Sequence, residues 1–410
     1  MRVLWLLNTP MPEALSAMTG RPEVSRATGS WVCALAEALS GRSDLTLFTA
    51  APSKLATKLM EIQGPTATHF VVPEKGNYWQ EVYDRARPDV VHIHGSEYPF
   101  FLDFVNTCGN AHVVVSLQGL VSVLRDCYFG GIPEADVART VSLRDRIRRD
   151  SLLSQKEDMG KRGEMEIRLL RSVRHIMGRS PWDRSVALEI NPSLTYHRCN
   201  EALRGPFYSG GWKYASCVPH RIFVAQGHYP LKGLHYLLEA LPAVLERFPD
   251  TSVRVAGPDI LRGNGIIDRL LRPGYANYLV SRMRSLGLED RVSYIGECDA
   301  GRMKKELLEA NLYVLPSVLE NTSNSLCEAQ MLGVPVLASE VGGTPSLVPD
   351  ASCGTLYPFD DAKALSERII RSFEEAPAFD PAHMRAVAAE RHDRERIISD
   401  LLKVYVEVAD

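Results

Sequence analysis

The sequence lacks any apolar run of the roughly 18 residues that a membrane-spanning helix needs. Its N-terminal apolar run, from Val3, has only five residues before Asn8, which is too short for the core of a secretory signal. The eight cysteines include no C-x-x-C pair, so neither a zinc site nor a disulfide framework is indicated. A reducing cytoplasm is the compartment that fits best.

The chain also lacks a strong charge of either sign, since its net charge is −3 with 24% charged and 45% apolar residues. This balance is ordinary for a soluble globular protein and argues against nucleic acid as a partner. No repeat and no low-complexity tract is visible, and no Asp-x-Asp pair follows a predicted strand. We therefore expect no metal ion at the site described below.

Short apolar runs alternate with helical patterns along the chain, which is typical of parallel sheets covered by helices. We predict an α/β fold with domains at 1–205 and 206–385, a linker over 202–220, and a last helix, 386–410, that packs back on the first domain. The predicted strands are Arg2–Asn8, Leu45–Ala50, His69–Val72, Asp89–His94, Val113–Gln118, His175–Gly178, Arg221–Ala225, Val253–Ala256, Val292–Ile295, Leu312–Leu315 and Val334–Ser339.

The segment ENTSNSLCE places Glu320 and Glu328 eight positions apart, just after the apolar run LYVLPS. A strand that ends there and a helix that begins near Ser323 form a junction at the carboxyl end of the sheet, where ligands bind. The first helical N–H groups and the helix dipole suit a diphosphate. Glu328 would accept hydrogen bonds from a ribose diol, and Glu320 would face the transferred group. The residues between them form the expected phosphate site: Asn321, Thr322, Ser323, Asn324 and Ser325.

This motif resembles the E-x7-E signature of retaining glycosyltransferase family 4, within the group 1 glycosyl transferases. GHYPLKGLHYLLEALPAV is similar to the family's phosphate-binding turn, EVGGTPSLVPDASCGTLY to its Gly-Gly loop, and RPDVVHIHG to its strand ending in His-x-His-Gly. The resemblance implies the GT-B fold, in which two Rossmann-like domains with parallel sheets face each other across a cleft. It also implies a nucleotide-diphosphate sugar as co-substrate, with no other cofactor, and retention of anomeric configuration.

The resemblance implies a phosphate role for Lys232, because a fixed ammonium stabilises the charge that a leaving diphosphate gains. The family usually has an Arg shortly before this Lys, but here the loop carries His228. Either His228 donates one hydrogen bond to a phosphate, or the second cation comes from elsewhere. Contacts to the nucleotide base are expected near Gly296 and Glu297.

In the first half, His94 ends a strand and is a candidate catalytic residue, although it or His92 could be a core histidine. Gln118 replaces a His of the family; it cannot act as a base, but its amide could bind a sugar hydroxyl. Arg179 either lies near the diphosphate or acceptor, or forms a structural ion pair with Asp183. The backbone at a predicted helix start would bring further N–H groups to the diphosphate, from Gly29 and Ser30.

Several alternatives remain open at this point. Glu320 could be a nucleophile, as in retaining glycosidases, or could orient the sugar while the leaving diphosphate accepts the proton of the acceptor, which we favour. The fold also accommodates a nucleotide-sugar epimerase or hydrolase, a glycogen synthase-like enzyme, or a non-enzymatic binding protein. The favoured function is a hexosyltransferase using a UDP or GDP sugar in surface polysaccharide or glycoconjugate synthesis.

The segment 139–174 carries an excess of basic side chains. It could be a solvated helix face with i,i+4 ion pairs, or it could contact an anionic membrane surface or a phosphorylated acceptor. We therefore expect the acceptor to be a glycan or a lipid-linked molecule. We expect the protein to be cytoplasmic, and peripheral contact with the inner face of the membrane stays open.

Overall fold

The computed structural model describes residues 1–21, 30–261, 265, 268 and 270–410, apart from the side chains of 30 and 31. The chain divides into two compact units. Unit 1 comprises residues 1–122, 161–204 and 392–410, and unit 2 comprises residues 123–160 and 205–391. Each unit is built around one sheet, so the predicted α/β class with two parallel sheets is confirmed.

The sheet of unit 1 has the strand order β3-β4-β2-β1-β5-β6-β7-β8 among the described residues. All neighbours pair in parallel except β3, which runs antiparallel to β4 at the edge. Its strands are β1 Arg2–Leu6, β2 Thr46–Ser53, β3 Met60–Gln63, β4 Thr68–Pro73, β5 Val90–His94, β6 Val113–Ser116, β7 His175–Gly178 and β8 Thr195–Arg198.

Helices cover both faces of this sheet, as parallel strands with crossover connections require. Within the described residues they are α1 Pro12–Thr19, α2 Ser30–Ser40, α3 Trp79–Ala86, α4 Pro99–Cys108, α5 Val121–Leu124 and α8 Leu152–Ser172 (both shared with unit 2), α9 Pro181–Ile190 and α16 Arg394–Ala409.

Unit 2 has a parallel sheet in the order β11-β10-β9-β12-β13-β14. Its strands are β9 Arg221–Val224, β10 Ser252–Val255, β11 Val292–Tyr294, β12 Leu312–Leu315, β13 Val336–Ser339 and β14 Thr355–Tyr357. Its helices are α6 Glu134–Thr140, α7 Leu143–Arg148, α10 Leu234–Arg247, α11 Gly274–Leu286, α12 Ala300–Glu309, α13 Asn324–Leu332, α14 Ala362–Glu375 and α15 Ala382–Arg391, with 3₁₀ turns at Gly205–Tyr208, Tyr214–Ser216, Pro230–Lys232, Thr344–Ser346 and Ala376–Ala378.

Helix α10 shows how the sequence pattern builds the core of unit 2. Leu234, Leu237, Leu238 and Leu241 recur at helical spacing and are all buried against the sheet. At about 25 cal/mol per Å² of apolar surface, each such leucine stabilises the unit by roughly 2 kcal/mol. The loop that precedes this helix is thereby fixed over the carboxyl end of β9.

The predicted strands are all present within one to three residues of their predicted ends, but three edge strands escaped prediction. These are β3, β8 and β14, of three or four residues each. Their sequences, MEIQ, TYHR and TLY, mix polar and apolar residues because an edge strand is partly exposed. Apolar runs reveal the buried, central strands more readily than edge strands; of the four edge strands in the two described sheets, only β11 was predicted.

The units differ from the predicted domains in three places. Residues 123–160 group with unit 2, although the sequence placed them in the first domain. The predicted linker is also ordered from Gly205 onward, since Trp212 is buried in unit 2 and its indole N–H donates to the carbonyl of Ala310 at 2.7 Å. The last helix, α16, belongs to unit 1, where Tyr405 accepts a hydrogen bond from Trp5 at 2.8 Å. Residues 386–391, which were predicted as the start of this last helix, instead form the end of α15 in unit 2.

All eight cysteines are free thiols. None of the helices in the described part of the chain combines the length and the hydropathy of a bilayer-spanning segment.

Candidate functional site

The strand order of unit 2 reverses between β9 and β12. The chain passes from β9 to β10 on one side, whereas β12 lies on the other side of β9. In an open parallel sheet, the chain that follows β9 and the chain that follows β12 pass to opposite faces of the sheet. A crevice therefore opens between these two connections at the carboxyl ends of the strands. The loops that follow β9 and β12 carry Lys232 and Glu320, and the strand order therefore brings these two predicted residues together.

Lys232 and Glu320 form an ion pair at this switch point. The Lys232 Nζ lies 2.8 Å from the Glu320 Oε2, and each side chain is 16% exposed. Ser317 Oγ donates to the same carboxylate oxygen at 3.0 Å. Burial lowers the pKa of Lys232, but Glu320 and nearby tyrosine hydroxyls raise it by more in sum, so this pKa lies above its ordinary value. The ammonium is therefore charged, and one of its three N–H donors points to Glu320.

Two glycines allow the loops of this pair to approach each other. Gly233 has a φ of +67°, and a Cβ there would lie 1.7 Å from the carbonyl oxygen of Pro316. Gly342 has a φ of +51°, and a Cβ there would lie 2.2 Å from the carbonyl oxygen of Glu320. The next N–H, that of Gly343, donates to this same carbonyl at 3.0 Å. The Gly-Gly loop singled out in the sequence thus lies directly beside Glu320.

Helix α13 begins where the motif predicted. Ser323 is its N-cap, and its hydroxyl accepts the N–H of Leu326 at 3.3 Å. The Ser325 hydroxyl lies 2.8 Å from that of Tyr313 on β12, which ties the first turn to the sheet. Glu328 lies one turn into the helix and is buried. The start of the helix forms a polar and largely buried surface through Asn321, Thr322, Ser323, Asn324 and Ser325.

His228 lies in the electrostatic field of both Lys232 and Glu297. Burial lowers the pKa of His228, the Lys232 charge lowers it further, and Glu297 acts in the opposite direction, with a net lowering. A neutral imidazole results at pH 7, which can supply a hydrogen bond but not the charge of the arginine usual in the family. Its Nδ1 is buried and has no hydrogen-bond partner among the described residues. Gly296 lies close by, and its carbonyl accepts the N–H of Gly257 at 3.0 Å.

In unit 1 the corresponding reversal of strand order lies between β1 and β5, and His94 is the last residue of β5. Its ring packs against that of His92, with centroids 3.8 Å apart and the ring planes tilted by 31°. His92 is the core histidine, since it bonds Tyr405 at 2.7 Å and Ser116 at 2.6 Å. Burial lowers the pKa of His92 to about 3, and burial together with His92 lowers that of His94 well below its ordinary value. Both imidazoles are therefore neutral.

Glu201 joins two predicted residues of unit 1 and was missed by sequence reasoning. Its Oε1 accepts the Gln118 amide at 2.8 Å, and its Oε2 accepts the Arg179 guanidinium at 2.7 Å. The Asp183 carboxylate instead accepts the backbone N–H of Arg179 at 2.9 Å. Glu201 follows the short edge strand β8, which was not predicted, so nothing in the sequence indicated that this residue lies at the end of a strand.

We expect the Glu201→Gln variant to lower the free energy of unfolding by roughly 1.5 to 3 kcal/mol, the usual contribution of a hydrogen bond to a charged group. In this variant an amide nitrogen replaces one carboxylate oxygen. Because this nitrogen is itself a donor, it cannot accept the hydrogen bond from Gln118 or from Arg179, whichever it faces. Urea denaturation of the purified chain measures this loss. The matched control is Glu81→Gln, which breaks an exposed ion pair with Arg85 and should change stability by less than about 0.5 kcal/mol. Equal effects for the two variants would contradict the bridging role of Glu201.

The remaining predicted residues are placed as follows. Gly29 lies outside the described residues, and Ser30 is the first residue of α2, with its side chain outside the description. Two groups of side chains in the described residues have metal-binding composition, and neither contains a predicted site residue: His175, His197 and Glu407 in unit 1, and Asp350, Cys353 and His383 in unit 2.

The two parallel-sheet units, each with polar residues at the switch point, define the GT-B class of fold. Sucrose-phosphate synthase from Thermosynechococcus elongatus superposes with a TM-score of 0.65 at 16% identity, covering 99% of this chain and 98% of that one. The Anabaena HepE protein, in its complex with UDP, superposes with a TM-score of 0.66 at 14% identity over 99% of this chain and 100% of that one. At these identities the likeness establishes the fold alone.

Residues 220–391, which contain the ion pair and helix α13, match the family described as glycosyl transferases group 1. The resemblance drawn from the E-x7-E motif is thereby confirmed at the level of this group. A curated relative, the phosphatidyl-myo-inositol mannosyltransferase of Mycobacterium tuberculosis, is 31% identical over 198 residues, 46% of this chain and 47% of that protein. The chain thus spans about half the length of the curated relatives that it matches.

Proposed function

We propose that this protein is a retaining glycosyltransferase that moves a sugar from a UDP or GDP sugar to a hydroxyl group of a glycan or lipid-linked acceptor. The observation that carries the proposal is the buried ion pair of Lys232 and Glu320 at the switch point of unit 2. A crevice there, next to a helix N-terminus, is suited to a diphosphate. The adjoining carboxylate supplies an acceptor for sugar hydroxyl groups.

Lys232 is the group that stabilises the leaving diphosphate. Of its three N–H donors one is used by Glu320, so two remain for phosphate oxygens without loss of the ion pair. As the bond between the anomeric carbon and the phosphate oxygen breaks, negative charge on that oxygen grows. A charged donor fixed in advance stabilises this transition state more than the ground state.

The proton of the acceptor needs no base from the protein in this mechanism. The acceptor oxygen attacks the anomeric carbon on the face that the diphosphate leaves, and its proton passes to the departing phosphate oxygen. Glu320 is bound by Lys232 and Ser317, so it is a fixed acceptor that orients sugar hydroxyls. We assign it this role in preference to that of a nucleophile.

The rest of the donor contacts follow from helix α13 and its surroundings. The N–H groups at the helix start, beside the Ser323 cap, would receive the diphosphate, and Glu328 would bond the ribose diol. His228 would donate one hydrogen bond to a phosphate as a neutral imidazole, in place of the family's arginine. Gly296 and Glu297 would lie near the base.

We assign the binding of the acceptor to unit 1. The residues that we assign to it are His94, Gln118 and Arg179, of which the last two are joined by Glu201. A neutral His94 can donate a hydrogen bond to a hydroxyl group or accept one from it, but it does not take up the proton of that group at pH 7. The acceptor class is supported by the mycobacterial relative, which is named as a mannosyltransferase acting on phosphatidyl-myo-inositol. The UDP in the HepE complex supports a nucleoside diphosphate as the donor's leaving group.

We expect at least one nucleotide sugar to raise the melting temperature of the protein in a panel of UDP and GDP sugars. Ligand at 100 times its Kd adds about 2.7 kcal/mol to the free energy of unfolding. Thermal-shift measurement identifies the donor, and proton NMR of the transfer product then reports the anomeric configuration. The Lys232→Ala variant is the control, because its shift should be much smaller. Absence of any shift across the panel would refute the donor site, and an inverted product would refute retention.

A further inference from the structure

Two histidines and a carboxylate meet at the edge of the sheet of unit 1. His175 begins β7, and His197 lies on the edge strand β8, where it faces Met177 in the parallel register. Side chains two positions apart on a strand share a face, so both imidazoles project to the same side of the sheet as Met177. Helix α16 covers this side, because Met177 and Val404 belong to one core cluster, and Glu407 lies in the last turn of the helix.

The two imidazoles are close enough to share a metal ion. His175 Nδ1 lies 3.0 Å from His197 Nε2. Two nitrogens that bind a tetrahedral Zn²⁺ at about 2.0 to 2.1 Å are about 3.3 Å apart, so a shift of a few tenths of an ångström would admit the ion. Burial lowers the pKa of both rings, which are therefore neutral at pH 7, the form in which imidazole coordinates a metal.

The proton of the present hydrogen bond has a place to go when the ion binds. One of the two facing nitrogens carries a proton now, and that ring must change tautomer to present a lone pair. Each ring keeps a second nitrogen for the proton, so the change of tautomer leaves both imidazoles neutral. In His197 this second nitrogen is Nδ1, which lies 3.8 Å from Glu407 Oε2.

Glu407 supplies the third ligand and a negative charge. In each of the three residues one possible ligand atom lies within 4.8 Å of those of the other two. The side chain of Glu407 is 58% exposed, so it can change rotamer to close the remaining distance without disturbing the core. Two imidazoles and one carboxylate form a ligand set of zinc sites in which water takes the fourth position. Mg²⁺ prefers oxygen ligands, so nitrogen donors select against it.

We propose that His175, His197 and Glu407 bind one Zn²⁺ ion, which joins the end of helix α16 to strands β7 and β8. The ligands come from three separate segments of the chain, so only the folded protein presents them together, and the ion should stabilise the fold. None of the three residues is assigned to the donor or the acceptor. The inference therefore does not depend on the proposed sugar transfer.

The test is calorimetric titration of the full chain, without an affinity tag and freed of metal, with zinc chloride alone. We expect one equivalent to bind and the melting temperature to rise, whereas Mg²⁺ should do neither. Loss of an outer-shell partner of a metal ligand already costs about 10- to 100-fold in affinity, so loss of a ligand in Glu407→Gln should cost tenfold or more. This variant should fold as the original chain does, because Glu407 is exposed. His197→Gln should abolish binding.

The matched control is His383→Gln, because His383 belongs to the other group of metal-binding composition, with Asp350 and Cys353 in unit 2. This variant should bind zinc as the original chain does. The complex with Co²⁺ should show the visible absorption of a tetrahedral site without a thiolate charge-transfer band. Absence of zinc binding, or unchanged affinity in Glu407→Gln, would overturn the proposal. So would a thiolate band, or binding that only His383→Gln removes, since either result would place the ion at Cys353 instead.

Discussion

The Lys232→Ala variant is expected to lower kcat by about 100-fold or more, with a much smaller change in KM for the acceptor. Loss of one preorganised donor at a developing negative charge costs roughly 3 kcal/mol in the transition state. The geometry accounts for the size of the effect, because Lys232 is 16% exposed and is held in place by Glu320 at 2.8 Å. Initial rates of sugar transfer, with the donor found by thermal shift, measure it.

Loss of folding must be separated from loss of chemistry in this variant. Removal of Lys232 leaves the Glu320 carboxylate with Ser317 but without its counter-charge, which destabilises the folded state. The double variant Lys232→Ala/Glu320→Gln removes the unbalanced charge, so it should recover stability while remaining inactive. The exposed Lys363, whose side chain is 87% exposed, provides the matched control, and Lys363→Ala should leave the rate unchanged.

The proposed mechanism predicts that EDTA changes the rate little, since in it the diphosphate is neutralised by Lys232 and the helix N-terminus. A Lys232→Ala variant with the rate of the original chain would refute its assignment. Strong inhibition by EDTA that added Mg²⁺ reverses would refute the metal-independent mechanism instead. The two results are distinguishable, because the first is the rate of the Lys232→Ala variant and the second is the effect of EDTA on the original chain.

The part of the site that follows from local sequence was predictable. The start of helix α13 at Ser323 and the turn at Lys232 both depend on residues a few positions apart: a capping serine before a helical pattern, and a glycine that follows the lysine. Buried strands of continuous apolar residues were likewise visible. Such features need no knowledge of the tertiary fold.

What the sequence did not reveal depends on contacts between distant segments. Lys232 and Glu320 are 88 positions apart, and nothing near either residue indicates that they form an ion pair. Glu201 contacts Gln118 across 83 positions. Residues 123–160 were assigned by chain order to the first domain, whereas buried side chains such as Tyr128 and Ile132 join the core of unit 2. Packing of this kind is fixed by shape and cannot be read from periodicity.

The Gly233→Ala variant is expected to destabilise unit 2 by about 3 kcal/mol and to abolish most of the activity. Two costs add: a left-handed φ of +67° for a residue with a Cβ, at roughly 1 to 2 kcal/mol, and the displacement of a crowded backbone, at roughly 1 to 3 kcal/mol. The second cost arises because the new Cβ would lie 1.7 Å from the Pro316 carbonyl oxygen. For a unit of this size the melting temperature should fall by roughly 6 to 12 °C.

Gly287 offers a close control for this experiment, because its φ is +68° and no atom lies within 4 Å of a Cβ placed there. Gly287→Ala thus carries the backbone cost without the collision, and it should lower stability by only about 1 to 2 kcal/mol. The difference between the two alanine variants isolates the contact with Pro316. Because Pro316 leads directly into the loop of Glu320, and Gly233 follows Lys232, relief of the collision must move the two charged groups apart. Gly233→Ala should therefore lose activity even at temperatures where it remains folded, whereas Gly287→Ala should keep it; equal activity and stability of the two variants would show that the loops do not need this close approach.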